Sequence, residues 1–223
     1  MRVIATVSAV AILASACAPE KQGAPANPPE VELFDGETLR GWRTIEFEVG
    51  GGAEASVAGD GTLQIGAGEP MAGIALDNPN IQLPNGDYEI ELEAMIVDGD
   101  DFFCGLTFPV PSQGTCCTLI VGGWGGTLVG LSNVNGTDAS LNTTRHDRPF
   151  EPRRWYRIRT RVTAEYIDVW IDGVPVIELE ITGRKISMRP GAIEKCQPLG
   201  LATYRTAAAY RNLRLRHLAP QTK

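Results

Sequence analysis

A strict two-residue alternation constrains this chain more than any other feature. In Tyr88-Glu-Ile-Glu-Leu-Glu-Ala-Met-Ile96, the residues Tyr88, Ile90, Leu92, Ala94 and Ile96 share one side, and three glutamates share the other. Successive side chains of a strand point to opposite faces, so this spacing fits a half-buried strand and no helix. Trp155-Tyr-Arg-Ile-Arg-Thr-Arg-Val162 repeats the pattern, with Tyr156, Ile158, Thr160 and Val162 inward and Arg157, Arg159 and Arg161 outward. Ile167, Val169 and Ile171 lead into Asp172-Gly173 and then Val176-Ile-Glu-Leu-Glu-Ile181, which predicts a hairpin. Leu199-Gly-Leu-Ala-Thr-Tyr204 and Asn212-Leu-Arg-Leu-Arg-His-Leu218 read as closing strands. No segment carries a helical stripe. Many short antiparallel strands in one domain, residues 31–218, predict a sandwich or jelly roll.

The N-terminus has a different character. Arg2 precedes an apolar run from Val3 to Ala14, broken by Thr6 and Ser8, and the small residues Ala14-Ser15-Ala16 lead to Cys17. This is the shape of a secretory signal, too short to span a bilayer comfortably. Cys17 resembles the lipid-modified cysteine of bacterial lipoproteins, where small residues precede a thiol that takes a diacylglycerol. An ordinary signal peptide cleaved after Ala16 is the alternative. Either reading exports the chain, to the periplasm or the cell surface, and the first adds a membrane partner through the lipid. Residues 18–30 follow as a linker: Pro19, Pro25, Pro28 and Pro29 forbid a helix, and nothing there is apolar enough to bury. Residues 219–223 are a short tail. The formal net charge of −7 argues against nucleic acid as a partner.

Beyond Cys17 there are four more cysteines: Cys104, Cys116, Cys117 and Cys196. In an oxidising compartment that number allows two disulfides. Cys104 and the Cys116-Cys117 pair flank the turn segment Pro109-Val-Pro-Ser-Gln-Gly114. If the flanks form a hairpin, Cys104 lies nearly opposite the pair and Cys196 takes the remaining thiol. A zinc site is the alternative, but no CxxC spacing or nearby histidine supports it.

Several motifs, in order, resemble the 3-keto-disaccharide hydrolase domain family. Val31-Glu-Leu-Phe-Asp-Gly-Glu-Thr-Leu-Arg-Gly-Trp42 resembles its opening LFDG-x-x-L-x-GW. Tyr88-Glu-Ile-Glu-Leu-Glu93, Cys104-Gly-Leu-Thr-Phe108, Arg154-Trp-Tyr-Arg-Ile158 and Trp170-Ile-Asp-Gly173 stand where the family has its successive strands and hairpin. Pro198-Leu-Gly-Leu201 and Tyr210-Arg-Asn-Leu-Arg-Leu215 resemble its ending. The resemblance implies a concanavalin A-like jelly-roll β-sandwich of two antiparallel sheets. It also implies cleavage of the glycosidic bond of a sugar whose C3 is a ketone, by a hydrolase or lyase outcome. There the ketone acidifies the C2 proton, a base removes it, and the aglycone leaves C1. An Arg, a Tyr or a divalent metal would steady the enolate. The departures are specific: Pro109 replaces a common Arg, Ala202-Thr-Tyr-Arg205 replaces a Gln-x-His pair, and Cys117-Thr-Leu-Ile-Val-Gly-Gly-Trp124 lacks the polar residues of the family's middle strand. A non-catalytic glycan-binding module, or a structural surface module of the same fold, is therefore the alternative.

The residues that could serve a saccharide follow. His146, one of two histidines and next to Asp147, is the candidate base, against a solvated loop histidine. His217, near the end of the last strand, reads as structural. Asp100 and Asp101, with Asp98, form an acidic turn that could assist catalysis, hold a divalent cation or bond sugar hydroxyls, against a plain turn. Glu91 alternates with core residues and becomes a substrate contact if its face is the concave one. Trp124 stands in Val121-Gly-Gly-Trp-Gly-Gly126, where bare backbone surrounds one indole suited to stacking on a sugar. Tyr204 and Arg205 occupy the stretch where the resemblance implies polar substrate contacts. Arg184 is a loop cation that could meet the ketone oxygen, against a surface hairpin.

Overall fold

The computed structural model describes residues 30–47 and 54–219; the leader with Cys17, residues 18–29 of the linker and residues 220–223 of the tail lie outside the described residues. Among the described residues, fifteen strands form two antiparallel sheets. The eight-stranded sheet contains β1 (Glu30–Glu32), β3 (Ala55–Val57), β4 (Leu63–Ile65), β6 (Tyr88–Gly99), β11 (Tyr156–Val162), β12 (Tyr166–Ile171), β13 (Val174–Glu180) and β15 (Thr206–His217). Their order is β13-β12-β11-β6-β15-β4-β3, with β1 also paired to β15. The seven-stranded sheet runs β10 (His146–Asp147), β9 (Leu128–Ser132), β8 (Thr115–Gly122), β7 (Cys104–Val110), β14 (Gly200–Tyr204), β5 (Met71–Leu76), β2 (Trp42–Thr44). The architecture is the all-β sandwich that the alternation predicts.

The alternating residues do what their period requires. Ile90, Leu92, Ile158, Val169 and Leu215 from one sheet meet Ile74, Leu106, Leu119, Val129 and Leu201 from the other in the inter-sheet core. Three tyrosines in this core keep a polar partner for each hydroxyl. Tyr210 donates to the carbonyl of Phe103 at 2.6 Å, Tyr88 donates to the carbonyl of Pro109, and Tyr156 accepts from the Glu151 amide at 2.6 Å. Burial pushes Tyr88 and Tyr210 well above the usual phenol range. The hairpin between β12 and β13 turns on Asp172 and Gly173, both at positive φ (55° and 80°), as a tight two-residue loop demands.

The β7–β8 hairpin forms as expected, but its register corrects the disulfide expectation. Val110 pairs with Thr115, so Cys104 lies opposite Val121, while Cys116 and Cys117 face Pro109 and Phe108. Four residues separate Cys104 from Phe108, about 13 Å along a strand, too far for a bridge. The four cysteines among the described residues are buried free thiols. Alternation also divides them: Cys104 and Cys117 join the inter-sheet core, and Cys116 and Cys196 join a second apolar cluster on the outer face of the seven-stranded sheet. Burial pushes Cys104, Cys117 and Cys196 up to about 12. Among the described residues no helix is long and apolar enough to cross a membrane.

Candidate functional site

The outer face of the seven-stranded sheet is built from small and apolar residues: Ala75, Cys116, Ile120, Leu128 and Ala202. Such a surface needs a cover. Phe102, Met188 and Ile193, the last in a short 3-10 turn (Ala192–Cys196), pack onto it. The cover is incomplete. Between the sheet and the turn lies a pocket of about 150 Å³, lined by Met71, Phe102, Thr118, Ile120, Trp124, Ser132, Arg189, Pro190, Ala192, Ile193 and Tyr204.

Trp124 stands at the mouth with 44% of its surface exposed. The Gly-Trp-Gly-Gly link between β8 and β9 aims it there. Trp124 itself is left-handed (φ 48°, ψ 55°), and Gly125 and Gly126 follow at φ 87° and 91°. Few side chains tolerate that conformation, and the flanking glycines let the chain turn at all. A Cβ on Gly126 would come within 3.2 Å of the Asp100 carbonyl, so the acidic turn packs directly against the tryptophan loop. Asp101 braces the same loop. Its carboxylate accepts from the Phe102 amide at 2.7 Å and the Gly125 amide at 3.4 Å, and its own amide donates to Thr206 at 2.9 Å.

The aromatic groups each carry a cation. The Arg189 guanidinium carbon lies 5.9 Å from the Trp124 ring centroid, with Asp138 at 3.7 Å from the same guanidinium. Arg205, exposed and left-handed at φ 47°, lies 5.6 Å from the Tyr204 ring. Tyr204 in turn leans on Phe102, with centroids 5.7 Å apart. Cations beside aromatic faces are held at modest energy and stay available to a polar ligand.

The structure thus brings Trp124, Tyr204 and Arg205 to one surface, with Asp100 and Asp101 behind the tryptophan loop. His146 does not reach it. It is exposed on the edge strand β10 and pairs with Val129, whose side chain lies in the inter-sheet core, so its register face is opposite that of Tyr204. Its neighbour Asp147 is held below the usual carboxylate range by the Arg145 guanidinium, 2.8 Å away. Glu91 lies on the outer face of the eight-stranded sheet, paired to Arg157 at 2.7 Å, across the sandwich from the pocket. Arg184 donates to its own turn, at the Glu180 carbonyl. Arg189 and Ile193 are site residues that the sequence reading missed. Their segment has no period, and its only signal is two apolar residues, Met188 and Ile193, isolated among Pro and Gly. Among the described residues no three His, Cys, Asp or Glu side chains are grouped to hold a metal ion.

Comparison with known proteins agrees with this architecture. The model of the 3-keto-alpha-glucoside-1,2-lyase-like domain matches residues 29–216. No curated protein matches the sequence. Among solved structures, a carbohydrate-binding module from Bacillus subtilis superposes with a TM-score of 0.51 at 15% identity, covering 79% of this chain and 95% of its own. The Crh5 transglycosylase gives 0.55 at 12% identity, covering 87% and 86%. The cellulose-induced protein Cip1 gives 0.54 at 10% identity, covering 85% and 97%. At these identities the likeness is one of fold.

Proposed function

From the premise that this chain belongs to the 3-keto-alpha-glucoside-1,2-lyase-like domain family, we propose that it binds a saccharide at the mouth of the pocket, with Trp124 as the stacking platform. The observation that carries this reading is an indole exposed at 44% beside an open pocket whose lining holds no carboxylate and no imidazole. Exposed aromatic rings match the apolar faces of sugars, and Arg189 and Arg205 meet hydroxyls at the rim. Abstraction of a C2 proton calls for a base within hydrogen-bond reach of the substrate. Asp101, behind the tryptophan loop, is already engaged by two backbone amides, and Asp138, beside Arg189, is engaged by that guanidinium and by the Ser140 amide and hydroxyl. Binding is therefore the reading that the geometry supports best. The family match favours a second reading, cleavage of 3-keto-glycosides on the same surface. Incubation with 3-keto and native disaccharides, with and without a divalent metal, separates them: binding without turnover is expected, and release of free sugar from a 3-keto substrate would establish the second.

We also propose that the chain is exported and held by a lipid on Cys17, on the strength of the apolar run, the small residues before it and the proline-rich spacer. Cys17→Ser is expected to release the protein from membranes. A mature N-terminus other than acylated Cys17 in mass spectrometry would refute the anchor.

A further inference from the structure

Resting on the saccharide reading above, we propose that the ligand is an aryl glycoside, with its sugar at the mouth beside Trp124 and its aromatic ring inside the pocket. The inner part of the pocket is the wrong place for a sugar. Its walls are Met71, Phe102, Ile120, Ile193 and Tyr204, and besides the Tyr204 phenol it offers two hydroxyls, from Thr118 and Ser132. Both are engaged. Thr118 Oγ1 lies 3.0 Å from Thr107 Oγ1, and Ser132 Oγ donates to Asn133 Oδ1 at 3.0 Å. A pyranose carries hydroxyls all around its ring, and most of them would leave water for a wall of apolar side chains.

A flat aromatic ring suits the same space. The volume is about 150 Å³. An apolar cavity of about that size accepts benzene. Phe102 and Tyr204 are tilted 36° to one another at 5.7 Å, leaving ring edges and faces for a third ring to join. At the mouth the chemistry reverses. Trp124 is exposed, and the guanidinium groups of Arg189 and Arg205 lie within 6 Å of the Trp124 and Tyr204 rings. Apolar depth and a polar aromatic rim, one after the other, match a ligand with a ring at one end and a sugar at the other. The rim cations leave that sugar free to be neutral or acidic.

Matched pairs of phenyl and methyl glycosides, in several sugars and both anomers, test the proposal by titration against the full-length protein, with phenol as a third probe. For at least one sugar the phenyl glycoside is expected to bind tenfold or more tighter than its methyl partner. Ala192→Trp, at an exposed position of the wall, is expected to remove that advantage. Independently, the phenyl protons should show nuclear Overhauser contacts to the Ile193 and Met71 methyl groups. Equal affinity for phenyl and methyl partners, or a phenyl advantage without those contacts, would overturn the aromatic assignment and leave the saccharide reading standing. If phenol binds and no glycoside does, the saccharide reading falls and takes this one with it.

Discussion

On the outer face of the eight-stranded sheet, the three glutamates of β6 stand between two rows of arginine. Glu89 pairs across to Arg161 and Arg216, Glu91 to Arg159 and Arg214, and Glu93 to Arg157 and Arg211. On the outer face of the seven-stranded sheet, equivalent positions are filled by Thr118, Ile120, Gly105, Ala202 and Gly130. Opposite charges on neighbouring strands pair with one another across the first surface. Small neutral residues leave the second surface unfinished, and the turn at 192–196 and the tryptophan loop are drawn over it. One sandwich thus carries a face of paired charge and a face that leaves a pocket.

The sharpest way to break this comparison is at Glu89, 3% exposed and bonded by Arg161, Arg159 and Arg216. Glu89→Gln strands three guanidinium groups around a neutral amide and is expected to cost about 3 kcal/mol in urea unfolding. Glu91→Gln, whose partner Arg157 is 62% exposed, is expected to cost no more than about 1 kcal/mol. Equal costs at the two sites would show that the ladder is only a solvated surface.

The thiols probe both sides of the seven-stranded sheet. Folded Cys104, Cys117 and Cys196 hold their protons up to about 12. An ordinary thiol ionises near ~8.5, so above that pH the unfolded chain releases protons that the folded chain keeps. Stability is therefore full below ~8.5 and falls as pH rises toward about 12, by roughly 2 kcal/mol per thiol at about pH 10. Cys117→Ala in the core and Cys196→Ala in the outer cover should each flatten the slope. A stability profile level between pH 8 and 10 would contradict burial of these groups. Denatured without reductant, the domain should also titrate four free thiols.

Much of this could be read from the chain beforehand, and the parts that could not have physical reasons. Period two identifies Tyr88–Ile96 and Tyr156–Val162 as strands because side chains of a strand must alternate. Alternation shows that Glu91 and Ile90 face opposite ways. It does not say which sheet Glu91 joins, and that choice decides between sugar contact and ion pair. The cysteine hairpin was legible and its register was not, since register follows from a turn centred on Ser112-Gln113 rather than from the cysteines. Trp124 announced itself through its four glycines. Arg189 did not, because it belongs to an aperiodic cover whose position only tertiary packing defines.

Two smaller effects sharpen the contrast at the pocket. Trp124→Ala is expected to weaken saccharide binding several-fold, about 1 kcal/mol, with the unfolding midpoint within error of the parent. A loss of fold instead of affinity would make the indole part of the cover rather than the platform. His146→Ala, on an exposed edge strand, should change neither binding nor stability by more than ~0.5 kcal/mol, and a measurable change in either would bring β10 into the site.

The left-handed backbone at Trp124 has a consequence for how the molecule can evolve. An L-residue held there costs on the order of 1–3 kcal/mol that glycine would not incur. Against this stands glycine's greater loss of freedom on folding, about 0.5–1 kcal/mol. At φ 48°, then, the residue best for the fold is glycine and the residue best for a ring-stacking ligand is tryptophan. A lineage selected for heat resistance alone would drift toward a fifth glycine in this loop, gaining stability as it lost its ligand. The two demands meet at a single codon, so a thermal screen for improved variants would select for blindness at the pocket.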